Sequence, residues 1–161
     1  MKKMTIAIVA VLVILVVFQS FMVASTNNTE KQAYKVIKKE DDFEIRYYPP
    51  ATFATIQSSA KNYRELSGNG FRKIAGYIFG NNESSSKIAM TTPVHMDISD
   101  EGSSMSFVMP SAYDMNNLPR PNDANVQLHQ TAGEYVAAIA FGGFANDASI
   151  KKYAAELEKA L

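Results

Sequence analysis

The chain has 161 residues, 47% of them hydrophobic and 20% charged, with a formal net charge of zero. That length suits one domain. The lack of cysteine excludes disulfides, a thiol nucleophile and an acylated N-terminal cysteine, and the balanced charge argues against nucleic-acid binding.

Lys2 and Lys3 precede the run TIAIVAVLVILVVFQSFMVA, interrupted only by Thr5, Gln19 and Ser20. About 20 apolar residues cross a bilayer as a helix, and a run apolar on every face is not a surface helix. Residues 1–24 therefore read as a transmembrane or signal helix, with its lysines cytoplasmic and the rest of the chain across the membrane. Two outcomes fit. An uncleaved signal-anchor leaves a membrane-anchored extracytoplasmic domain. A signal peptide cut near Val23-Ala24-Ser25 leaves a secreted or periplasmic one. Beyond residue 24 the chain carries 14 basic and 16 acidic residues, net −2, with no basic patch. Residues 25–33 are polar and aperiodic and read as a linker. The folded domain is then 34–161.

Within it, Glu40, Asp41, Asp42 and Glu44 mark a solvated turn at a strand start. The segment FEIRYYPPATFATI (Phe43 to Ile56) alternates, breaks at Pro49-Pro50 and alternates again, giving two strands around a turn signal. A helix follows over roughly 62–79, with Gly68, Gly70 and Gly76 weakening it. In Lys87 to Ile98 the even positions are Ile88, Met90, Thr92, Val94, Met96 and Ile98, one apolar strand face with Pro93 on the other. Proline cannot donate to a ladder, so Pro93 either curves this strand or breaks it at a seam. The next strand, SMSFVMP, continues with Met105, Phe107 and Met109. The proline-stiffened loop 111–125, with Tyr113, Leu118, Pro119 and Pro121, is either a lid or a strap.

A second segment, VQLHQTAGEYVAAI (Val126 to Ile139), matches the first at an offset of 83. Phe43 corresponds to Val126, Ile45 to Leu128, Phe53 to Val136 and Ile56 to Ile139, and Ala132-Gly133 supplies the turn signal. A helix over 146–161 follows. The chain thus reads as two repeats of strand, strand, helix, strand, strand. The last two strands of the second repeat fall past Leu161 and are missing from this sequence.

The chemistry of an enzyme is not visible. His95 and His129 are the two histidines, and neither stands in an HExxH spacing; GxSxG and P-loop motifs are absent. Two isolated histidines do not make a zinc site. No catalytic residue is nominated, and the chain reads as a non-enzyme.

Four stretches carry a resemblance: FEIRYYPPATFAT (Phe43 to Thr55), KIAMTTPV (Lys87 to Val94), SFVMPSAYDMNNLPRPND (Ser106 to Asp123) and YVAAIAFGGFAND (Tyr135 to Asp147). Over residues 34–161 the chain resembles the SOUL haem-binding protein family. The resemblance implies an α+β fold: a distorted antiparallel β-barrel of two pseudo-twofold repeats flanked by two helices. It also implies a non-catalytic ligand, haem or another tetrapyrrole. Such a disc needs an apolar slot, cations for its propionates and optionally an axial ligand. In the family the slot lies along the first helix. That assigns Phe71, Ala75, Ile78, Phe79 and Met90 to the slot, Arg72 and Lys73 to the propionates, and Tyr47 to the iron. The implied roles are buffering, carriage or sensing of haem. Two other functions stay open: binding of a different amphiphilic small molecule, and a small hydrolase on the related effector-binding fold.

Overall fold

A computed structural model describes residues 9, 11–19, 29–99 and 101–161. It divides into one unit of Met1–Glu30 and another of Lys31–Leu161. In the first, the described residues 9 and 11–19 belong to a helix, α1. Among the described residues no helix is long and apolar enough to cross a membrane. The rest of the span expected over residues 1–24 lies outside the described residues.

The elements in order after α1 are β1 (Glu30–Lys31), β2 (Lys35–Lys39), β3 (Glu44–Tyr48), β4 (Thr52–Ser58), α2 (Tyr63–Ile78), β5 (Thr91–Thr92), β6 (Val94–Ile98), β7 (Ser103–Val108), β8 (Val126–Gln130), β9 (Glu134–Ala138) and α3 (Asp147–Ala160). Both helices start where capping chemistry directs. Asn62 accepts from the Glu65 N–H at 2.9 Å, and Asn146 forms a reciprocal capping box with Ser149. The acidic residues 40–42 lie in the turn between β2 and β3.

The expected barrel is not closed. Strands β2-β3-β9 form one antiparallel sheet and β6-β7-β4-β8 another. The turn signals are corners, not hairpins. β3 pairs with β9, from Glu44 opposite Ala138 to Tyr48 opposite Glu134. β4 pairs with β8, from Thr52 opposite Gln130 to Ile56 opposite Val126. The register is the same on both sides of the corner, and the Thr131 N–H donates to Ala51 O at 2.9 Å within it. Two long strands, each bent once, therefore run antiparallel to each other and pass together from one sheet to the next. The first strand of each repeat pairs with the second strand of the other, which is the pseudo-twofold expected from the offset.

The core lies between the second sheet and α2. Ala54, Ile56, Met105 and Phe107 meet Leu66, Ile74, Tyr77 and Ile78. Each large side chain buried there contributes about 1.5–3 kcal/mol. Gly70 permits the close approach: a Cβ on it would lie 3.2 Å from Ile56 Cδ1 and Met105 Cε. Met90, Val94, Met96 and Ile98 pack against the same core, as the alternation requires.

Pro93 interrupts the strand where it changes sheets. The Gln32 N–H donates to Thr92 O at 2.8 Å beside β5, while β6 pairs with β7. The alternation slips here: Thr91 is buried and Thr92 exposed, and the Thr91 hydroxyl donates to Val108 O. The loop after β7 is a strap. Leu118 enters the core, Tyr77 donates its hydroxyl proton to Pro119 O at 2.9 Å, and the Glu83 N–H donates to Arg120 O at 2.9 Å.

The corner is tight at Gly133, where a Cβ would come 2.9 Å from Tyr47 Cζ and closer still to its hydroxyl. Gly133→Ala should cost about 1–3 kcal/mol by overpacking, read as a lower urea midpoint. Adding Tyr47→Leu should recover most of that loss. An unchanged midpoint in Gly133→Ala would show that the corner has slack.

Candidate functional site

Helix α2 divides into two faces. Leu66, Gly70, Ile74, Ala75, Tyr77 and Ile78 are buried. Ala75 and Ile78, both expected in a ligand slot, are thus part of the packed side of the helix. The outer side is unusual for a surface helix. Phe71 is 40% exposed, and Phe79, the C-cap residue two turns further on, is 58% exposed. A Cβ on either Gly68 or Gly76 would have nothing within 4 Å. Phe71 leans on Phe107, ring centroids 5.4 Å apart, which fixes it without covering it. Arg72 and Lys73 are exposed, and Lys73 acts on the carboxylate of Asp123 in the strap. A cavity of about 400 Å³ opens at the N-terminal end of the helix, lined by Tyr63, Arg64 and Ser67 and by Ala145 to Ala148. Ser67 lies one turn before Phe71, so cavity and aromatic strip adjoin.

Tyr47 stands elsewhere. It is half-buried in β3, its ring 5.0 Å from that of Tyr135 and against Gly133. α2 packs on β4, β7 and β8, whereas β3 packs on β2 and β9. Tyr47 and the α2 residues therefore sit on different sheets. Met90, expected beside the slot, packs half-buried on the core.

The two histidines flank Phe53, on the sheet face away from the core residues Ala54 and Ile56. His95 meets the Phe53 ring edge-on at 5.2 Å and His129 stacks on it at 6.0 Å. His95 Nε2 and Gln32 Oε1 are 2.7 Å apart. Burial pushes the His95 imidazole below its usual range, and Glu134 opposes that shift. Among the described residues no group of three or more histidine, aspartate or glutamate side chains is arranged to hold a metal ion.

What the arrangement offers chemically is an aromatic, glycine-flattened surface with cations at its margin and no imidazole on it. That suits a flat apolar ligand with peripheral carboxylates. The profile of the SOUL heme-binding protein family matches residues 29–161. The chain belongs to the SOUL heme-binding protein family. Heme-binding protein 1 of Sus scrofa is 28% identical over 145 aligned positions, covering 83% of this chain and 76% of that protein. Heme-binding protein 1 of Xenopus laevis is 28% identical over 142, covering 84% and 74%. Heme-binding protein 2 of Mus musculus is 31% identical over 112, covering 65% and 54%.

One feature of this SOUL chain escaped the sequence reading. A cavity of about 660 Å³ lies between the β2–β3 turn, the end of β9 and α3, lined by Asp41, Asp42, Ile139, Ala140, Tyr153, Glu156, Lys159 and Ala160. The acidic turn was legible in the sequence. Its placement opposite α3 depends on the pairing of β3 with β9, which no local signal encodes.

The strap beside α2 has its own titration. The Tyr77 phenol is pushed up to about 12, mainly by burial and further by Tyr113. Unfolded tyrosine titrates near ~10. The unfolded state therefore loses this proton first, so the stability contribution is complete below about pH 10 and is lost as pH rises towards about 12. Tyr77→Phe should cost about 1 kcal/mol at neutral pH through the Pro119 bond and should remove part of the alkaline loss. Urea denaturation near neutrality and near pH 11 checks this. A variant deficit that is no smaller at high pH would contradict it.

Proposed function

We propose that the chain binds haem or another tetrapyrrole, without catalysis, along the outer side of α2. The observation that carries this reading is the pair of exposed aromatics, Phe71 and Phe79, on a helix side opened by Gly68 and Gly76. Membership of the SOUL family supports the ligand class. In this pose the porphyrin face rests on Phe71 and Phe79, and its propionates meet Arg72 and Lys73 as charge-assisted pairs. Ala75, Ile78 and Met90 form the floor behind them. Haem supplies an iron-centred disc for storage, transfer or sensing. The protein would supply apolar contact from Phe71 and Phe79 and charge from Arg72 and Lys73.

An axial role for Tyr47 would require the disc to reach the other sheet. The α2 pose does not use it, and metal-free protoporphyrin then binds about as well as haem. The same surface serves the second reading, a different flat amphiphile. The apolar run preceded by Lys2 and Lys3 supports an exported or membrane-anchored domain, which would act on the extracytoplasmic side.

The test is a titration of the full-length chain with haemin, followed by Soret absorbance against a protein-free reference. A saturable one-to-one shift is expected. Phe71→Ala should weaken binding roughly tenfold, because an exposed ring no longer buries itself on the ligand. Arg72→Gln with Lys73→Gln should weaken haemin more than its dimethyl ester. Tyr47→Phe should leave the spectrum unchanged. Loss of the shifted spectrum in Tyr47→Phe, with Phe71→Ala unaffected, would move the site to the other sheet. No saturable shift from folded protein would end the tetrapyrrole reading.

A further inference from the structure

Residues four apart form a continuous row on a helix surface, and two neighbouring rows of α2 differ in character. One runs Tyr63, Ser67, Phe71 and Ala75, with the C-cap Phe79 after it, and alternates aromatic with small side chains. The row beside it runs Arg64, Gly68, Arg72 and Gly76, and alternates arginine with glycine. Both arginines are exposed and make no ion pair among the described residues. Lys73 stands on a third row, with Glu65, Asn69 and Tyr77, and already acts on Asp123.

Long helical side chains lean towards the N-terminus, over the preceding turn. Arg72 therefore borders the gap at Gly68. That gap is open, since a Cβ there would meet nothing within 4 Å. Arg64, about 12 Å before Arg72 along the axis, lines the cavity of about 400 Å³ at the start of the helix. The cavity wall carries one carboxylate, Asp147, and one of its oxygens accepts from the Tyr63 N–H at 2.6 Å. Beyond Arg72 neither row holds a cation: Gly76 is followed four residues later by Gly80, and the strip ends at Phe79. The surface therefore has a direction. Guanidinium groups lie towards the start of α2, and flat apolar surface lies towards its end.

We propose that Arg64 is a further carboxylate-binding residue of this surface and that it works with Arg72 to orient the ligand. The inference rests on the tetrapyrrole reading of α2 and narrows its ligand class to a flat ring with carboxylates on one edge only. One carboxylate meets Arg72 over the Gly68 gap, and the other meets Arg64 at the cavity. Each guanidinium offers two parallel N–H donors to a carboxylate. The opposite, apolar edge of the ring lies along Phe79. A ring with carboxylates on every side would press one against Phe79, where it loses water and gains no arginine.

The experiment uses the full 161-residue chain and three iron porphyrins: haemin, its dimethyl ester, and coprohaem, which carries a carboxylate on each pyrrole. Soret titrations should show haemin binding about tenfold tighter than coprohaem. Arg64→Gln should weaken haemin about tenfold and leave the dimethyl ester within about twofold. Lys73→Gln should weaken haemin less than Arg64→Gln does. Added salt should lower haemin affinity in the parent chain and less so in Arg64→Gln. Arg64 is an exposed position, and an unchanged circular dichroism spectrum confirms that the variant is folded. Equal losses for haemin and its ester would make Arg64 a packing residue and overturn the proposal. Unchanged haemin affinity in Arg64→Gln, with Phe71→Ala still weakening it, would overturn the proposal and leave the α2 site standing. Coprohaem bound as tightly as haemin would overturn the one-edge ligand class. No saturable haemin binding by the folded parent chain would end both this inference and the reading beneath it.

Discussion

The domain depends on one constraint: two long strands bend at matching places and remain paired through the bend. β3 and β4 would separate at Pro49-Pro50 if β9 and β8 did not turn with them at Ala132-Gly133. The Tyr47 ring lies against Gly133 at the corner, where there is room for a hydrogen and none for a methyl group. This pairing delivers β4 to the centre of the second sheet. There Ala54 and Ile56 provide the floor on which α2 packs. The outward side of α2 follows from that packing. Once Leu66, Ile74, Tyr77 and Ile78 are committed to the sheet, Phe79 is left largely to solvent or a ligand, and Phe71 keeps one side on Phe107 and the other open.

Charge and capping refine the position of this helix. Its first turn meets that of α3, where the Tyr63 N–H donates to Asp147 Oδ1 at 2.6 Å. Its last turn is tied down by Asn82, which is buried. The Asn82 amide donates to Tyr77 O at 2.9 Å and to Ser86 O at 2.8 Å, and its oxygen accepts from the Ser86 N–H at 3.1 Å. A buried side-chain amide satisfied in this way fixes the exit of the helix. The strap crosses just beyond, so α2 is held at both ends while its outer side stays clear. Such a rigid platform suits binding without large rearrangement.

Much of this was legible in the sequence because the signals are local. Strand alternation in 87–98 identified the face that packs on the core. The helices expected from about 62 and from 146 start at their caps Asn62 and Asn146, and the offset of the repeats matched the observed pairing. The features that were not legible are non-local. Pro49-Pro50 announces a change of direction but not whether the chain folds back on itself or bends beside a partner. Nothing near Thr91 indicates that it, and not Thr92, turns inward at the break before Pro93. On α2, period alone could not say which aromatics pack inward, because Phe71, Ile74 and Ile78 fall on overlapping stripes. Tyr47 lies in the strand the motif indicated, but the partner of that strand carries it to a different sheet from α2.

The central claim is that the ligand surface is the outer side of α2, and paramagnetic broadening by haem iron tests it most directly. Amide spectra of the isotope-labelled full chain would be compared with haemin and with zinc protoporphyrin. The account predicts that iron-dependent broadening centres on Gly68, Phe71, Arg72, Gly76 and Phe79 and fades towards β3 and β9. Broadening centred on Tyr47, Gly133 and Tyr135, with the α2 amides sharp, would contradict it.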